Sequence, residues 1–308
     1  MGKHFMAGGC AAPVAGPSAT GGGVMSFFSG KTAIVTGAGS GIGRALANEL
    51  ADAGCPKIVV TDIVQERIDE VVEELKRKGV EAGGYLVNHT SAEEVEAFSK
   101  KFFEEWDHVD VLCSNAGVGC GGRLEEMKLD DWKWVLDINL WGAIYMMHFF
   151  VPEMMKREQG SILLTASDAG LFSIPGMLAY QTSKHAVMGL GTTLRIELSN
   201  HNIKLSMLCP AIINTNIICD GRINLTDSRG ESAKAPVQDF YTKHGVPPSV
   251  PAKAGLKALE KDKGITITPW SQTGWQYLLW RISPQLYFGI FRFLWKKGFI
   301  HKMFGIEP

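Results

Sequence analysis

From Lys31 onward the chain alternates short, almost wholly apolar runs with longer segments whose apolar residues recur every three or four positions. The runs TAIVT (32–36), KIVVTD (57–62), AGGYLV (82–87), VDVLCSN (109–115), SILLTAS (161–167) and IKLSMLCP (203–210) predict strands, with a last strand at 265–268. Between them the spacing predicts helices up to Ala53, over 65–78, 91–106 and 130–156, from Tyr180 onward, and near 252–261. Gly79 stops the second helix, and Ser91 with Glu94 forms a capping-box start for the third. Strands without polar interruption are covered on both faces. The expected fold class is therefore α/β, a doubly wound parallel sheet of the Rossmann type in a single domain.

The flanks have a different texture. Residues 1–24 are rich in Gly, Ala and Pro and lack the continuous apolar segment of a secretory signal; they are expected to form a disordered tail, with Met25 as a candidate start. The domain is expected over 25–268. Within it, 212–250 is polar and weakly patterned, and it follows the sixth strand at the carboxyl end of the sheet, where a substrate loop belongs. A C-terminal aromatic and basic helical extension occupies 269–308, with Trp270, Trp275, Trp280 and Trp295 beside Arg292, Lys296 and Lys297. No run in it reaches the roughly 18 apolar residues of a spanning helix. It either packs over the substrate cleft or a subunit interface, or makes membrane-surface contact through 270–300.

Composition narrows the function. A chain of 308 residues, 45% hydrophobic, can bury one large core, and its net charge of −1 argues against a nucleic-acid partner. The six cysteines include no C-x-x-C pair and the eight histidines no ligand spacing, so no metal is expected and the thiols read as reduced, in a cytoplasmic setting.

Three local features carry chemistry. Gly37, Gly39, Ser40, Gly41, Ile42 and Gly43 form a turn between the first strand and first helix, where backbone N–H groups and a helix N-terminus can hold a pyrophosphate. Asp62 ends the next strand; a carboxylate there bonds ribose hydroxyls and repels a 2′-phosphate, favouring NAD over NADP. Arg44, just after the turn, is the one residue of this stretch suited to a 2′-phosphate. Finally, Tyr180 and Lys184 share a helix face, so the ammonium is expected to lower the phenol and form a proton-transfer pair. Ser167, at a strand end, can reach the same reacting oxygen.

In this order these residues resemble the short-chain dehydrogenase/reductase family in its short single-domain form, over about 31–215. The matches are T-G-x-x-x-G-I-G at 36–43, Asp62, Asn115-Ala116-Gly117, Asn139, Ser167 and Tyr180-x-x-x-Lys184, with the family's Ser-to-Tyr spacing of thirteen. Two positions depart: Val87-Asn88 stands where Asp-Val is usual, and Pro210-Ala211 where Pro-Gly is usual. The resemblance implies that Tyr180 is the general acid/base, that Lys184 lowers its pKa and holds the nicotinamide ribose, and that Ser167 stabilises charge on the substrate oxygen. It makes Asn139 the anchor of a water relay, and adds Asn88, Asn115, Ala116, Gly117, Pro210, Ile213 and Thr215 to the cofactor contacts.

The implied activity is NAD-dependent interconversion of a secondary, apolar alcohol and its ketone, by a homodimer or homotetramer acting on a small molecule. Alternatives are an NADP-dependent carbonyl reductase and a membrane-surface sterol- or retinoid-type dehydrogenase. A sugar-nucleotide epimerase fits less well, because the T-G-x-x-G-x-x-G pattern of that group is missing, and a non-catalytic NAD sensor conflicts with the intact Ser/Tyr/Lys/Asn set. Ala169, Leu171, Phe172, Met177 and Leu178 point to an apolar substrate pocket.

Overall fold

A computed structural model describes residues 26–226 and 230–304; the expected N-terminal tail and Met25 lie outside the described residues. In chain order the first elements are β1 (Thr32–Thr36), α1 (Gly41–Asp52), β2 (Lys57–Asp62), α2 (Gln65–Arg77), β3 (Glu81–Leu86), α3 (Ala92–Trp106), β4 (Val111–Ser114) and β5 (Cys120–Gly121). Next come α4 (Leu129–Leu136), α5 (Gly142–Lys156), β6 (Gly160–Thr165), α6 (Leu178–Glu197), β7 (Ile203–Pro210) and β8 (Arg222–Ile223). The chain continues through α7 (Lys234–His244), α8 (Ser249–Glu260), β9 (Ile265–Thr268), α9 (Trp270–Ile282), α10 (Pro284–Lys296) and α11 (Phe299–Phe304).

Seven strands make one parallel sheet in the order β3-β2-β1-β4-β6-β7-β9. Successive side chains of a strand point to opposite faces, and with both faces covered β1 is buried throughout. Ala33 and Val35 pack with Leu46 and Leu50 of α1, Ile68 and Leu75 of α2, and Leu256 of α8. Ile34 packs on the other face, with Phe98 and Phe102 of α3, Phe150 of α5 and Val187 of α6. Each fully buried side chain of this size stabilises the fold by about 1.5–3 kcal/mol, so both layers hold the sheet in place. Strand order reverses between β1 and β4, and ligands bind at such a switch point beyond the carboxyl ends of the strands.

Two segments differ from the sequence expectation. The helix expected over 130–156 is continuous but has a π turn at Asp137–Trp141 between α4 and α5. The whole run, Leu129–Lys156, is long and apolar enough by composition to cross a membrane. It nevertheless buries Met146, Phe150 and Met154 against the sheet and acts as a core helix.

The segment 212–250 is more regular than its polarity implied. β8 pairs with β5, and α7 forms although only Val237 of it is buried. Its apolar stripe is too narrow to read from periodicity; the cluster of Ile218, Leu225, Ala233 and Val237 fixes it through tertiary contact. The extension from 269 forms α9, α10 and α11. Ser283 caps α10 by accepting a hydrogen bond from Leu286 N at 3.2 Å, with Pro284 in the first turn.

One side of that extension packs on the domain. Tyr287 is wholly buried, donates to the Ser173 carbonyl at 2.6 Å and stacks on Phe291 at 4.1 Å between ring centroids. Gln272 bridges two segments, accepting from Ile212 N at 2.9 Å and donating to the His244 carbonyl at 3.0 Å.

Candidate active site

The turn after β1 is shaped by its glycines. Gly37 and Gly41 have φ of +61° and +52°, where a side chain is strained. A Cβ on Gly43 would stand 2.1 Å from the Gly37 carbonyl oxygen, and one on Gly39 would stand 2.8 Å from the Asp62 carboxylate. α1 starts here with Ser40 as its N-cap, yet the Ser40 hydroxyl makes no cap bond and the first turn carries no acidic residue. Free N–H groups, a free hydroxyl and the positive helix end together fit a phosphate group.

Asp62 faces this turn. Its Oδ2 accepts from Gly39 N at 2.9 Å, and its Oδ1 accepts from Ile63 N at 2.9 Å and Val64 N at 3.2 Å. Arg44 is directed elsewhere, pairing with Glu70 at 3.1 Å and with Glu74, and it does not border the cavity. At this end of it the bordering cation is Arg67, next to Asp62.

A cavity of about 890 Å³ runs from this turn across the carboxyl ends of the strands and under the C-terminal helices. All the sequence-predicted site residues border it except Gly39, Gly43 and Asn139. Those two glycines support the turn from behind. Asn88 borders the cavity, but its Oδ1 accepts from Thr90 N and Oγ1, leaving only its N–H₂ for a ligand. Asn115 is tied back to β1: its N–H bonds the Thr36 hydroxyl at 2.9 Å and its side-chain amide the Thr36 carbonyl at 3.2 Å. Thr215 reaches the turn, 3.2 Å from where a Cβ on Gly41 would lie. Of the residues expected to give an apolar substrate pocket, Ala169 and Met177 border the cavity. Leu171 and Phe172 pack inward instead, and Leu178 is exposed.

Ser167, Tyr180 and Lys184 converge at one end, and all three are buried. Lys184 Nζ donates to the Thr165 carbonyl at 3.2 Å and lies 5.7 Å from the Tyr180 ring centroid. Burial pulls the ammonium down to about 8. It also pushes the Tyr180 phenol up to about 12, opposed by the Ser167 hydroxyl and reinforced by Asp168 and Cys209. The phenol is thus shifted opposite to the direction expected from its lysine neighbour, because desolvation of the phenolate outweighs a cation at this distance.

Asn139 sits in the π turn behind them. Its Oδ1 accepts from Val118 N at 2.8 Å, and its Nδ2 donates to the Val118 carbonyl at 3.1 Å and to Ser183 Oγ at 3.0 Å. Ser183 in turn donates to the Tyr180 carbonyl at 2.6 Å. The amide therefore braces the Tyr180 helix: both of its N–H hydrogens are used, while Oδ1, with one accepted bond, keeps a second acceptor position.

The profile of the short chain dehydrogenase family matches residues 31–222. The chain belongs to the short-chain dehydrogenase family. Among its relatives, the 3-oxoacyl-[acyl-carrier-protein] reductase FabG of Thermotoga maritima is 33% identical over 60% of this chain and 75% of its own. The cyclohexanol dehydrogenase of Acinetobacter sp. strain SE19 is 34% identical over 63% and 77%. A short chain dehydrogenase/reductase from Burkholderia phymatum, solved in complex with NAD, superposes with a TM-score of 0.77 at 31% identity, covering 84% of this chain and 95% of that one. The chain is accordingly an oxidoreductase of a family that binds NAD(P).

This dehydrogenase carries a site residue that sequence reasoning missed. Asp168 is buried beside Ser167 and borders the cavity; its Oδ1 accepts from Ser167 Oγ at 3.0 Å and from Ala169 N at 2.7 Å. A carboxylate directly after an apolar strand and next to the candidate serine was the available signal. Burial raises Asp168 to about 6, against the pull of those two donors. A carboxyl raised in the folded state stabilises it when protonated, and that contribution fades as pH climbs from about 4 through about 6. Above that range the anion opposes ionisation of Tyr180. In Asp168→Asn, stability should therefore lose its decline over this interval, and the alkaline rise in alcohol oxidation should begin at lower pH. A kcat–pH profile whose rise does not move would sink this coupling.

Proposed function

We propose that this dehydrogenase interconverts a secondary, apolar alcohol and its ketone with NAD, as a cytoplasmic homodimer or homotetramer. The observation that carries the reading is the convergence of Ser167, Tyr180 and Lys184 at the end of one cavity that also reaches the glycine turn and Asp62. The coenzyme, held by the turn, Asp62, Asn88, the Asn115–Gly117 strand end, Lys184 and the segment Pro210–Thr215, supplies the hydride chemistry. The chain's own residues handle orientation and the proton. Tyr180, neutral with its phenol at about 12, donates to the substrate oxygen in reduction. In oxidation it takes the proton back, a step that becomes easier as pH rises. Ser167 bonds the same oxygen and stabilises negative charge there, turning its hydroxyl from Asp168 to the substrate. Ala169, Ile174 and Met177 give the neighbouring wall an apolar character.

Formation of NADH, followed by absorbance over a panel of secondary alcohols starting with cyclohexanol, tests the reaction. Asp62→Ala tests the coenzyme: the variant should lose more affinity for NAD than for NADP, since it removes an acceptor for ribose hydroxyls and a charge that repels a 2′-phosphate. The reverse order would overturn the preference. A second reading, NADP-dependent carbonyl reduction, draws support from Arg67, a cation next to Asp62 at the cavity edge. The same pair of affinities in the unaltered chain separates the two.

A further inference from the structure

The C-terminal helices have two faces. Inward, Tyr287 and Phe291, one turn apart on α10, pack on the domain, and Phe291 borders the cavity together with Thr273 and Gln276 of α9 and Ile300 of α11. Outward, Trp275, Leu278 and Ile282 lie at helical spacing along α9, and Leu286, Ile290 and Phe293 along α10; all six are exposed. Half of the exposed large apolar side chains among the described residues fall between Trp270 and Phe299. A helix surface of this kind in water is the mark of a contact that forms with something else.

The charges identify the partner. Residues 269–304 contain no Asp or Glu but do contain Arg281, Arg292, Lys296, Lys297 and Lys302. The first four are exposed, and none forms an ion pair with another described residue. A second copy of this face would bring cations against cations with no carboxylate to meet them. An anionic lipid surface meets both features at once, because its headgroups attract the unpaired Arg and Lys while its acyl boundary accepts Trp, Leu, Ile and Phe.

We propose that α9 and α10 dock this dehydrogenase on anionic membrane surfaces, lying in the interface with Trp275, Leu278, Ile282, Leu286, Ile290 and Phe293 inserted. The helices do not span the bilayer: each has 13 residues, about 20 Å in length, against a hydrocarbon core of about 30 Å. Because their inward side covers the cavity, the docked face and the roof of the site are the same two helices.

The full chain is floated on a density gradient with vesicles of phosphatidylcholine alone and with vesicles of equal parts phosphatidylcholine and phosphatidylglycerol. It should float with the second, and its binding should fall about tenfold or more in high salt. Ile290→Glu/Phe293→Glu and Arg292→Gln/Lys296→Gln should each weaken flotation to a similar degree. NADH binding should be unchanged in both, which shows that they are folded. Flotation on neither vesicle overturns the proposal, as does full flotation by both variants. Sedimentation showing dimers that Ile290→Glu/Phe293→Glu dissolves, with no vesicle binding, overturns it in favour of contact between copies. No substrate enters these measurements, so an inactive chain that still floats would remove the proposed reaction and leave the docking surface standing.

Discussion

Tyr180→Phe should lower kcat for alcohol oxidation by about 10²- to 10⁴-fold, the range that a positioned general acid/base contributes. The substitution removes one oxygen and keeps the ring in its buried slot. Among the described residues the Tyr180 hydroxyl interacts only with the Ser167 hydroxyl, while the backbone carbonyl of the residue remains tied to Ser183. The thermal midpoint and the NADH dissociation constant should therefore stay close to those of the unaltered chain. A rate within a few fold of normal would remove Tyr180 from the chemistry and return the pair Tyr180–Lys184 to the status of helix neighbours.

Tyr287→Ala should be the most damaging change outside the reacting groups. The ring is wholly buried, stacks on Phe291, meets Trp280 edge-on at 5.4 Å and anchors its hydroxyl on the Ser173 carbonyl. Truncating a buried aromatic of this size costs about 3–5 kcal/mol. Where the loss falls distinguishes two arrangements. If the C-terminal helices unfold with the domain, the urea midpoint drops as a whole. If they detach first, the midpoint of the Rossmann core holds and the KM of an apolar alcohol rises, because Phe291 and Ile300 leave the cavity wall. Tyr287→Phe, which loses only the hydrogen bond, should cost about 1 kcal/mol. Equal stability of Tyr287→Ala and the unaltered chain would contradict this account of the packing.

The sheet was legible because its central strands are mostly apolar and almost wholly buried, and a parallel sheet covered on both faces is the arrangement that uses such runs fully. β1, β2, β7 and β9 occupy the residues expected for them. The glycine turn, Asp62 and Ser167 were legible for a different reason, a residue type at an element end, and Tyr180 and Lys184 through their spacing of one turn on α6. What escaped depends on distant contacts. α7 has too few apolar positions to show a period, and forms because Ile218 and Leu225 arrive from another segment. The raised Tyr180 phenol follows from the depth of the pocket, which spacing on a helix does not reveal. Arg44 illustrates the same limit, since Glu70 and Glu74 reach it from α2, roughly thirty residues along the chain.

The arm between β7 and α7 also offers a place to watch the site work. Asp220 Oδ2 meets Arg67 Nη1 at 3.4 Å beside the glycine-turn end of the cavity, so the arm and α2 touch there. The preceding residue, Cys219, is the exposed thiol among the described residues, while Cys55, Cys113, Cys120 and Cys209 are buried. Burial further raises Cys55 and Cys120 to about 11, which keeps them as unreactive thiols at neutral pH. With Cys10 replaced by serine, a maleimide dye should attach at Cys219 alone and place a fluorophore beside that contact. A change in its emission on mixing with NADH would report a rearrangement of the arm separately from the reaction, and a constant emission would show the arm unmoved.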